Sequence, residues 1–503
     1  MTSTTTPAHV RATPGPSTPE ARDPHHARRW LSLAVLGLAQ LMVVLDATIV
    51  NIALPTVQMD LGFTDSDRQW VITAYALAFG SLLLLGGRIA DVVGRKTTFI
   101  VGLIGFAAAS ALGGIANGFA LLIIARALQG VFGALLAPAA LSLLTTTFTD
   151  PAERGKAFGI YGAIAGSGGA IGLLLGGVLT EYASWRWCLH VNVPIAFVAV
   201  LGGLALLSQN RPAVRPKLDI PGVITVSAGL FALVYGFSNV ETYGWSDPMS
   251  WGFLVAAGVF LAIFWWLQTV VAHPLLPPRI LLHRDRAGSY LAVFVIGAGM
   301  FGVFLFLTYY LQIILQYSPI RTGLAFMPMA MAIMLSATTA TAALLPRIGS
   351  RPLVVLGLLI AAACMVWMTW LDADSSYVSH VLPPLVIAGI GFGLVMAPAM
   401  NGATLGVEPS DAGVASATVN TSQQVGGSMG TALLNTLAAQ AASDYLVGRT
   451  PTPEVVTQSL LHSYDVAFLW SAGIFAVGAL LCGLLLRSGV PRREETSEPA
   501  LIH

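Results

Sequence analysis

Residues 31–54 read LSLAVLGLAQLMVVLDATIVNIAL, twenty-four residues carrying a single charge, Asp46. About 20 apolar residues, rising 1.5 Å each, cross roughly 30 Å of hydrocarbon as a helix. The run is therefore read as a membrane span, and the carboxylate inside it is out of place. A charge at membrane depth costs roughly 2.5 to 3.5 kcal/mol even on an insertion scale, and such residues mark ion or proton pathways. Only Arg126 lies as far inside another apolar segment.

Outside this run the same pattern recurs along the chain. Spans are read at 31–54, 70–90, 98–117, 119–146, 157–180, 190–208, 220–240, 251–272, 288–313, 323–345, 352–371, 381–404, 412–437 and 466–487. The expected fold class is thus an all-α integral membrane protein of fourteen helices. Composition agrees: 55% of the 503 residues are hydrophobic and 10% charged, where a soluble domain carries about a quarter charged. A net charge of +1 offers no general attraction for nucleic acid, and none is expected as a partner. Cys188, Cys364 and Cys482 are isolated in or beside apolar spans, without metal-ligand or disulfide spacing, and are read as packing residues. Residues 1–29, rich in Thr, Pro and Ser, are expected to form a disordered tail with no cleaved signal.

Lys and Arg fall unevenly between the two sides that these spans define. With a cytoplasmic N-terminus, that side collects twenty of the twenty-five, four lie opposite and Arg126 is within a span. Short cytoplasmic loops retain positive charge, so both termini are expected in the cytoplasm, with the chain a multi-pass protein of the cytoplasmic membrane. Two distant segments also read alike. Gly133-Ala134-Leu135-Leu136-Ala137-Pro138-Ala139 matches Gly393-Leu394-Val395-Met396-Ala397-Pro398-Ala399, and each precedes a short acidic loop, at 150–155 and 408–413. Two parallel six-helix halves would place these copies equivalently in spans 4 and 12, a transporter architecture with its substrate site between the halves. The expected division is 1–29 tail, 30–208 first bundle, 209–287 two extra helices with their loops, 288–487 second bundle and 488–503 tail.

Asp46 lies about eight residues from the outer end of span 1, and Arg126 about seven from the outer end of span 4. The two charges therefore share a depth and are expected to pair or to form a water-bridged relay. Proximity of Arg126 favours the charged carboxylate, and separation or drying favours its protonation, which allows uptake on one side and release on the other. Gln129, one turn away, is the next polar group on that face.

On these residues a family resemblance rests. Leu45-Asp46-Ala47-Thr48-Ile49-Val50-Asn51-Ile52-Ala53-Leu54-Pro55 resembles the first-helix motif of the fourteen-helix drug:proton antiporters of the major facilitator superfamily. Gly87-Arg88-Ile89-Ala90-Asp91-Val92-Val93-Gly94-Arg95-Lys96 is similar to that superfamily's loop signature, and Ala125-Arg126-Ala127-Leu128-Gln129-Gly130 to its fourth-helix motif. Trp185-Arg186-Trp187, Asn192-Val193-Pro194, Tyr310-Leu311-Gln312 and Gln423-Gln424-Val425-Gly426-Gly427 also match the fourteen-helix branch. The resemblance implies a major facilitator fold with two additional central helices, and proton coupling at Asp46 and Arg126. It implies a conformational gate at Gly87, Asp91, Gly94, Arg95 and Lys96, in which Asp91 with its basic neighbours locks the cytoplasmic ends together. In the fifth helix the family's Gly-Pro is here Gly172-Leu173, with Gly176 and Gly177 retained. Without the proline, span 5 is expected to kink less.

For substrate, the candidates are Asn51, Gln129, Phe301, Tyr309, Tyr310, Gln312, Met327, Met329, Met396, Met400, Asn420, Gln423 and Gln424. Adaptable thioethers and aromatic faces suit varied lipophilic shapes. No acidic residue is read inside spans 9–14, so neutral or monocationic amphiphiles are the expected cargo. His283-Arg284-Asp285 lacks a kinase context, Gly389-Ile390-Gly391-Phe392-Gly393 follows no strand, and no GxxxxGK[ST] phosphate loop occurs. The expected activity is proton-coupled efflux by alternating access, with no metal or other cofactor beyond the proton gradient, by a monomer in the bilayer. A proton-coupled importer of a polar metabolite or siderophore is the alternative and would need more polar C-terminal spans. A membrane enzyme or sensor would need a catalytic cluster or soluble domain.

Overall fold

The computed structural model describes residues 28–63, 65–208 and 219–489. Most of both expected tails lies outside the described residues. The described helices are α1 (Arg29–Leu61), α2 (Asp65–Val93), α3 (Arg95–Gly114), α4 (Phe119–Thr147), α5 (Pro151–Tyr182), α6 (Trp187–His190), α7 (Asn192–Leu206), α8 (Ile220–Tyr243) and α9 (Pro248–Val270). They continue with α10 (Pro278–Leu281), α11 (Arg284–Tyr309), α12 (Pro319–Thr339), α13 (Leu345–Ile348), α14 (Ser350–Met368), α15 (Leu382–Thr404), α16 (Ala412–Leu446) and α17 (Pro453–Leu485). Proline near the start and a polar side chain before it set several of these beginnings. Asp219, Asp247, Ser318 and Thr452 each accept from the amide three residues on.

Twelve described helices are long and apolar enough to cross a membrane, thirteen if the two arms of α5 count as one span. The remaining expected span is α16. It is 35 residues long, but Asn420, Gln423, Gln424 and Asn435 lower its hydropathy. Its first half is buried among other helices, which is how so polar a segment is accommodated.

Side-chain ties show how the helices alternate. Arg29 bonds Glu153, Ser32 bonds the Leu206 carbonyl, Tyr290 bonds the Ala403 carbonyl and Arg284 bonds the Leu484 and Leu485 carbonyls. These gather the starts of α1, α5 and α11 with the ends of α7, α15 and α17 at one end of the bundle, here the terminal face. At the opposite, distal face Arg186 joins Asp60 to the Ala116 carbonyl, and Tyr310 bonds the Asp372 carbonyl.

The packing repeats itself. Helix α4 lies against α2 and α3, α1 against α5 and α7, and α3 against α7; correspondingly α15 lies against α12 and α14, α11 against α16 and α17, and α14 against α17. Contacts between halves repeat too, α5 on α12 and α15 mirrored by α16 on α2 and α4. The matched segments occupy equivalent places, Gly133 against Phe79 of α2 and Gly393 against Ser336 and Ile333 of α12. Helices α8 and α9 pair with each other, and α8 covers the seam between α2 and α16.

Helix α5 bends by 42° between Glu153–Gly169 and Ile171–Tyr182 without the family's proline, and glycines near the bend permit it. One expectation is corrected. Helix α17 begins at Pro453 rather than near 466, so Asp465 lies within it and the second half is not free of acidic residues.

Candidate functional site

Asp46 and Arg126 are in contact, with Arg126 Nη1 donating to Asp46 Oδ2 at 2.6 Å, both side chains essentially excluded from solvent. Asp46 Oδ1 accepts from Gln129 Nε2 and Asn192 Nδ2, each at 2.8 Å. Ser110 Oγ accepts from the same two amides, at 2.7 and 3.3 Å. Arg126 Nε donates to the Val71 carbonyl at 3.1 Å, and its guanidinium sits 4.6 Å from the Tyr75 ring centre. The cluster thus draws on α1, α2, α3, α4 and α7. Opposite charges cancel inside it, and removing either partner of such a pair costs about 3 to 5 kcal/mol because the other is left buried and uncompensated.

Sequence reasoning missed Ser110, Tyr75 and the part played by Asn192. Their signal was a polar residue inside an otherwise apolar run, but only tertiary packing shows which such residues meet. All donors around Asp46 suit an ionised carboxylate. The Asn192 Oδ1 atom is buried with no hydrogen-bond partner, and turning that amide would offer an acceptor to a protonated Asp46.

The α1 face beyond Asp46 meets α5. A Cβ on Gly172 would overlap the Thr48 side chain, and one on Gly176 would come within 2.8 Å of the Ile49 carbonyl; Gly177 is buried beside them. Close helix approach of this kind is what glycine permits in membrane bundles. Since α5 also packs on α12 and α15, α1 is mechanically linked to the second half.

At the terminal face Asp91 Oδ1 accepts from the Gly413 amide at 3.0 Å and Oδ2 from the Val414 amide at 3.3 Å, at the start of α16. This carboxylate-to-helix-start contact joins the halves. Gly87 sits directly against Gly413, and Gly94 turns the chain with φ of 112°, a conformation suited to glycine. Arg95 lies 3.5 Å from Asp91. Lys96 instead donates to the Leu204 and Leu207 carbonyls at the end of α7, within its own half, so it takes no part in this junction. Arg154 makes a second junction that sequence reasoning counted only as loop charge: Nε donates to Asn401 Oδ1 at 3.1 Å and Nη2 to Thr404 Oγ1 at 3.0 Å.

The substrate candidates do not converge. Gln423 lies beside Gly297 of α11, within the second half, whereas Gln424 lies beside Gly80 of α2, across the inter-half seam. Tyr309, Tyr310 and Gln312 lie at least twelve residues further along α11 and its continuation than Gly297, about 18 Å at 1.5 Å per residue. There Tyr310 is buried and bonded to the Asp372 carbonyl, a distal-face tie rather than a mid-membrane contact. Met329, Met396 and Met400 are core residues, Met327 is half-buried, and Asn420 donates to the Ser416 carbonyl. The side chains of Asn51 and Phe301 lie outside the described residues.

Comparison with known proteins accords with this arrangement. The Major Facilitator Superfamily model matches residues 36–431. The chain is 49% identical over 476 residues, 94% of each chain, to the puromycin resistance protein pur8 of Streptomyces alboniger. It is 39% identical, again over 94% of each chain, to the cephamycin export protein CmcT of Amycolatopsis lactamdurans. Among solved structures, the proton:xylose symporter XylE bound to 6-bromo-6-deoxy-D-glucose aligns with a TM-score of 0.65 at 12% identity, covering 92% of this chain and 97% of that one, a likeness of fold alone. With its two half-bundles, buried charge pair and matching family model, this multi-pass membrane chain belongs to the Major Facilitator Superfamily.

Proposed function

We propose that the protein expels lipophilic natural-product antibiotics from the cytoplasm in exchange for protons, by alternating access. The observation that carries this reading is the buried Asp46–Arg126 pair, an ionisable site in a membrane half-bundle whose α1 is coupled through glycines to α5 and so to the other half. Resistance and export are the printed activities of the two relatives above, and both are antibiotic-related. The lysine and arginine excess supports a cytoplasmic terminal face. The arrangement, joined there by Asp91 and Arg154, then corresponds to a state closed to the cytoplasm.

In the cycle a proton from outside neutralises Asp46, Arg126 loses its counter-charge, and α1 shifts against α5. The junctions at Asp91 and Arg154 part, the cytoplasmic side opens, substrate enters between the halves, and proton release restores the pair. One proton descending about 100 mV releases roughly 2.3 kcal/mol, enough for about a fiftyfold gradient of a neutral substrate. Growth inhibition by puromycin, lincomycin and a cephamycin in a pump-deficient host tests the reading. Expression is expected to raise the inhibitory concentration of at least one of them, and Asp46→Asn to abolish that protection with membrane levels unchanged. Full protection by Asp46→Asn would refute proton exchange at this residue.

A further inference from the structure

We propose that protons reach Asp46 from the distal face through a file inside the first half, between α1, α4 and α6, gated by an apolar cavity midway along it. The inference rests on the proton-exchange reading above and names the route that reading requires. Asp46 is wholly buried, and its partners Arg126, Gln129 and Asn192 all belong to the first half, so the surface between the halves does not present it.

The α1 positions 46, 50, 53, 57 and 60 follow the spacing that keeps residues on one helical face. Here they are Asp46, Val50, Ala53, Val57 and Asp60: a carboxylate at each end and three aliphatic residues between. The two carboxylates are fourteen residues apart, about 21 Å along the helix. Val50, Ala53 and Val57 line a cavity of about 10 Å³ together with Leu122, Cys188 and Trp185. Each wall continues directly from the charge cluster, because Val50 lies one turn beyond Asp46, Leu122 one turn before Arg126 and Cys188 one turn before Asn192. At the distal end Trp185 Nε1 donates to Asp60 Oδ2 at 3.0 Å, and Arg186 pairs with the same oxygen at 2.7 Å, on a half-exposed carboxylate.

The cavity is about the smallest that holds one water, and its hydrocarbon walls give a water no partners, so it is dry in this arrangement. A dewetted constriction of this kind blocks a proton as it blocks an ion. A brief separation of the pair lets the guanidinium draw water and the file fill, and protonation of Asp46 then makes that separation lasting. A hydronium at the Asp60 rim then passes its proton along the water chain, the last O–H bond breaking as one forms on Asp46 and a neutral water remaining. Asn192 Oδ1, without a partner while Asp46 is ionised, accepts from the new hydroxyl after the amide turns. Among the described residues, the other ionisable groups facing Asp46 are Arg126, Tyr75 and Cys188, and none of these is a second carboxylate.

Cys188 is a native reporter in the cavity wall. In whole cells expressing the full chain with Cys364→Ala and Cys482→Ala, a membrane-impermeant methanethiosulfonate reports its hydration. Labelling is expected to be slow in the parent and faster by about tenfold with Asp46→Asn, where Arg126 lacks its counter-charge, a two-state shift of ~1.4 kcal/mol. Ala53→Phe, which fills the cavity, is expected to suppress that labelling and to abolish puromycin-driven proton release from everted vesicles while puromycin binding persists. A Cys188 that reacts in neither background, or undiminished exchange in a folded Ala53→Phe, overturns the file; should Ala53→Phe fail to insert, labelling decides alone. Proton-driven puromycin transport surviving Asp46→Asn would sink the exchange reading itself, whereas its loss there beside an unreactive Cys188 sinks only the route.

Discussion

Replacing Asp91 by asparagine tests whether the contact at the start of α16 holds the terminal face closed. The carboxylate accepts two backbone amides, from Gly413 and Val414, and is approached by Arg95 at 3.5 Å. A hydrogen bond to a charged group contributes about 1.5 to 3 kcal/mol. Asparagine keeps one oxygen acceptor, so Asp91→Asn removes about one such bond and the attraction of Arg95. The contact exists only while the halves meet, so the loss falls on one of two competing states, and their ratio shifts about 10- to 150-fold toward opening. Thr341 is a suitable reporter because it is buried against Gly155 and Gly159 of the opposite half. With Cys188, Cys364 and Cys482 replaced by alanine, the labelling rate of Thr341→Cys by a water-soluble maleimide in everted vesicles is expected to rise in the Asp91→Asn background. An unchanged rate would refute the reasoning, since it would mean that these bonds do not distinguish the two states.

Other expectations follow from particular contacts. Arg154→Met removes the bonds to Asn401 and Thr404 and should also speed Thr341→Cys labelling; a rate equal to the parent would mean that Arg154 only anchors α5. Leu173→Pro restores the family's residue where α5 already bends by 42°. It should cost well under the ~3 kcal/mol of a proline in a straight helix, so the melting temperature in detergent should barely move, and loss of the folded protein would contradict this. Hydrogen bonding from Trp185, and then from Arg186, holds Asp60 below the usual carboxylate range. A carboxylate depressed in the folded state stabilises above its unfolded value and loses that contribution as pH falls through the folded value. The melting-temperature gap between parent and Asp60→Asn should therefore be constant from neutral to mildly acidic pH and close only in strong acid; a gap closing near pH 6 would argue against the tie.

The span pattern and the central pair were legible because hydrocarbon imposes a one-dimensional rule, about 20 apolar residues per crossing, and makes any charge inside such a run conspicuous. Asp46 and Arg126 stood out on those grounds, and equal depth suggested that they meet. Span 13 was read at 412–437 although its polar residues lower its hydropathy, and α17 was begun too late because Ser459, Ser463 and Asp465 hid its first turns. The size of the bend in α5 was not legible because a proline is one cause of bending among several, and a glycine-rich stretch supplies another.

What sequence alone determined is the membrane fold, the two matched halves and the identity of the charged residues, since hydropathy and spacing act along the chain. Tertiary structure decided which polar groups converge: Asn192 and Ser110 join Asp46, Lys96 caps its own half, Arg154 ties the halves, and Tyr310 is taken up at the distal face. These outcomes depend on helix rotation and on which faces meet. In an all-helical membrane chain neither is encoded by local pattern, because apolar residues serve lipid and core alike and only close packing distinguishes the two.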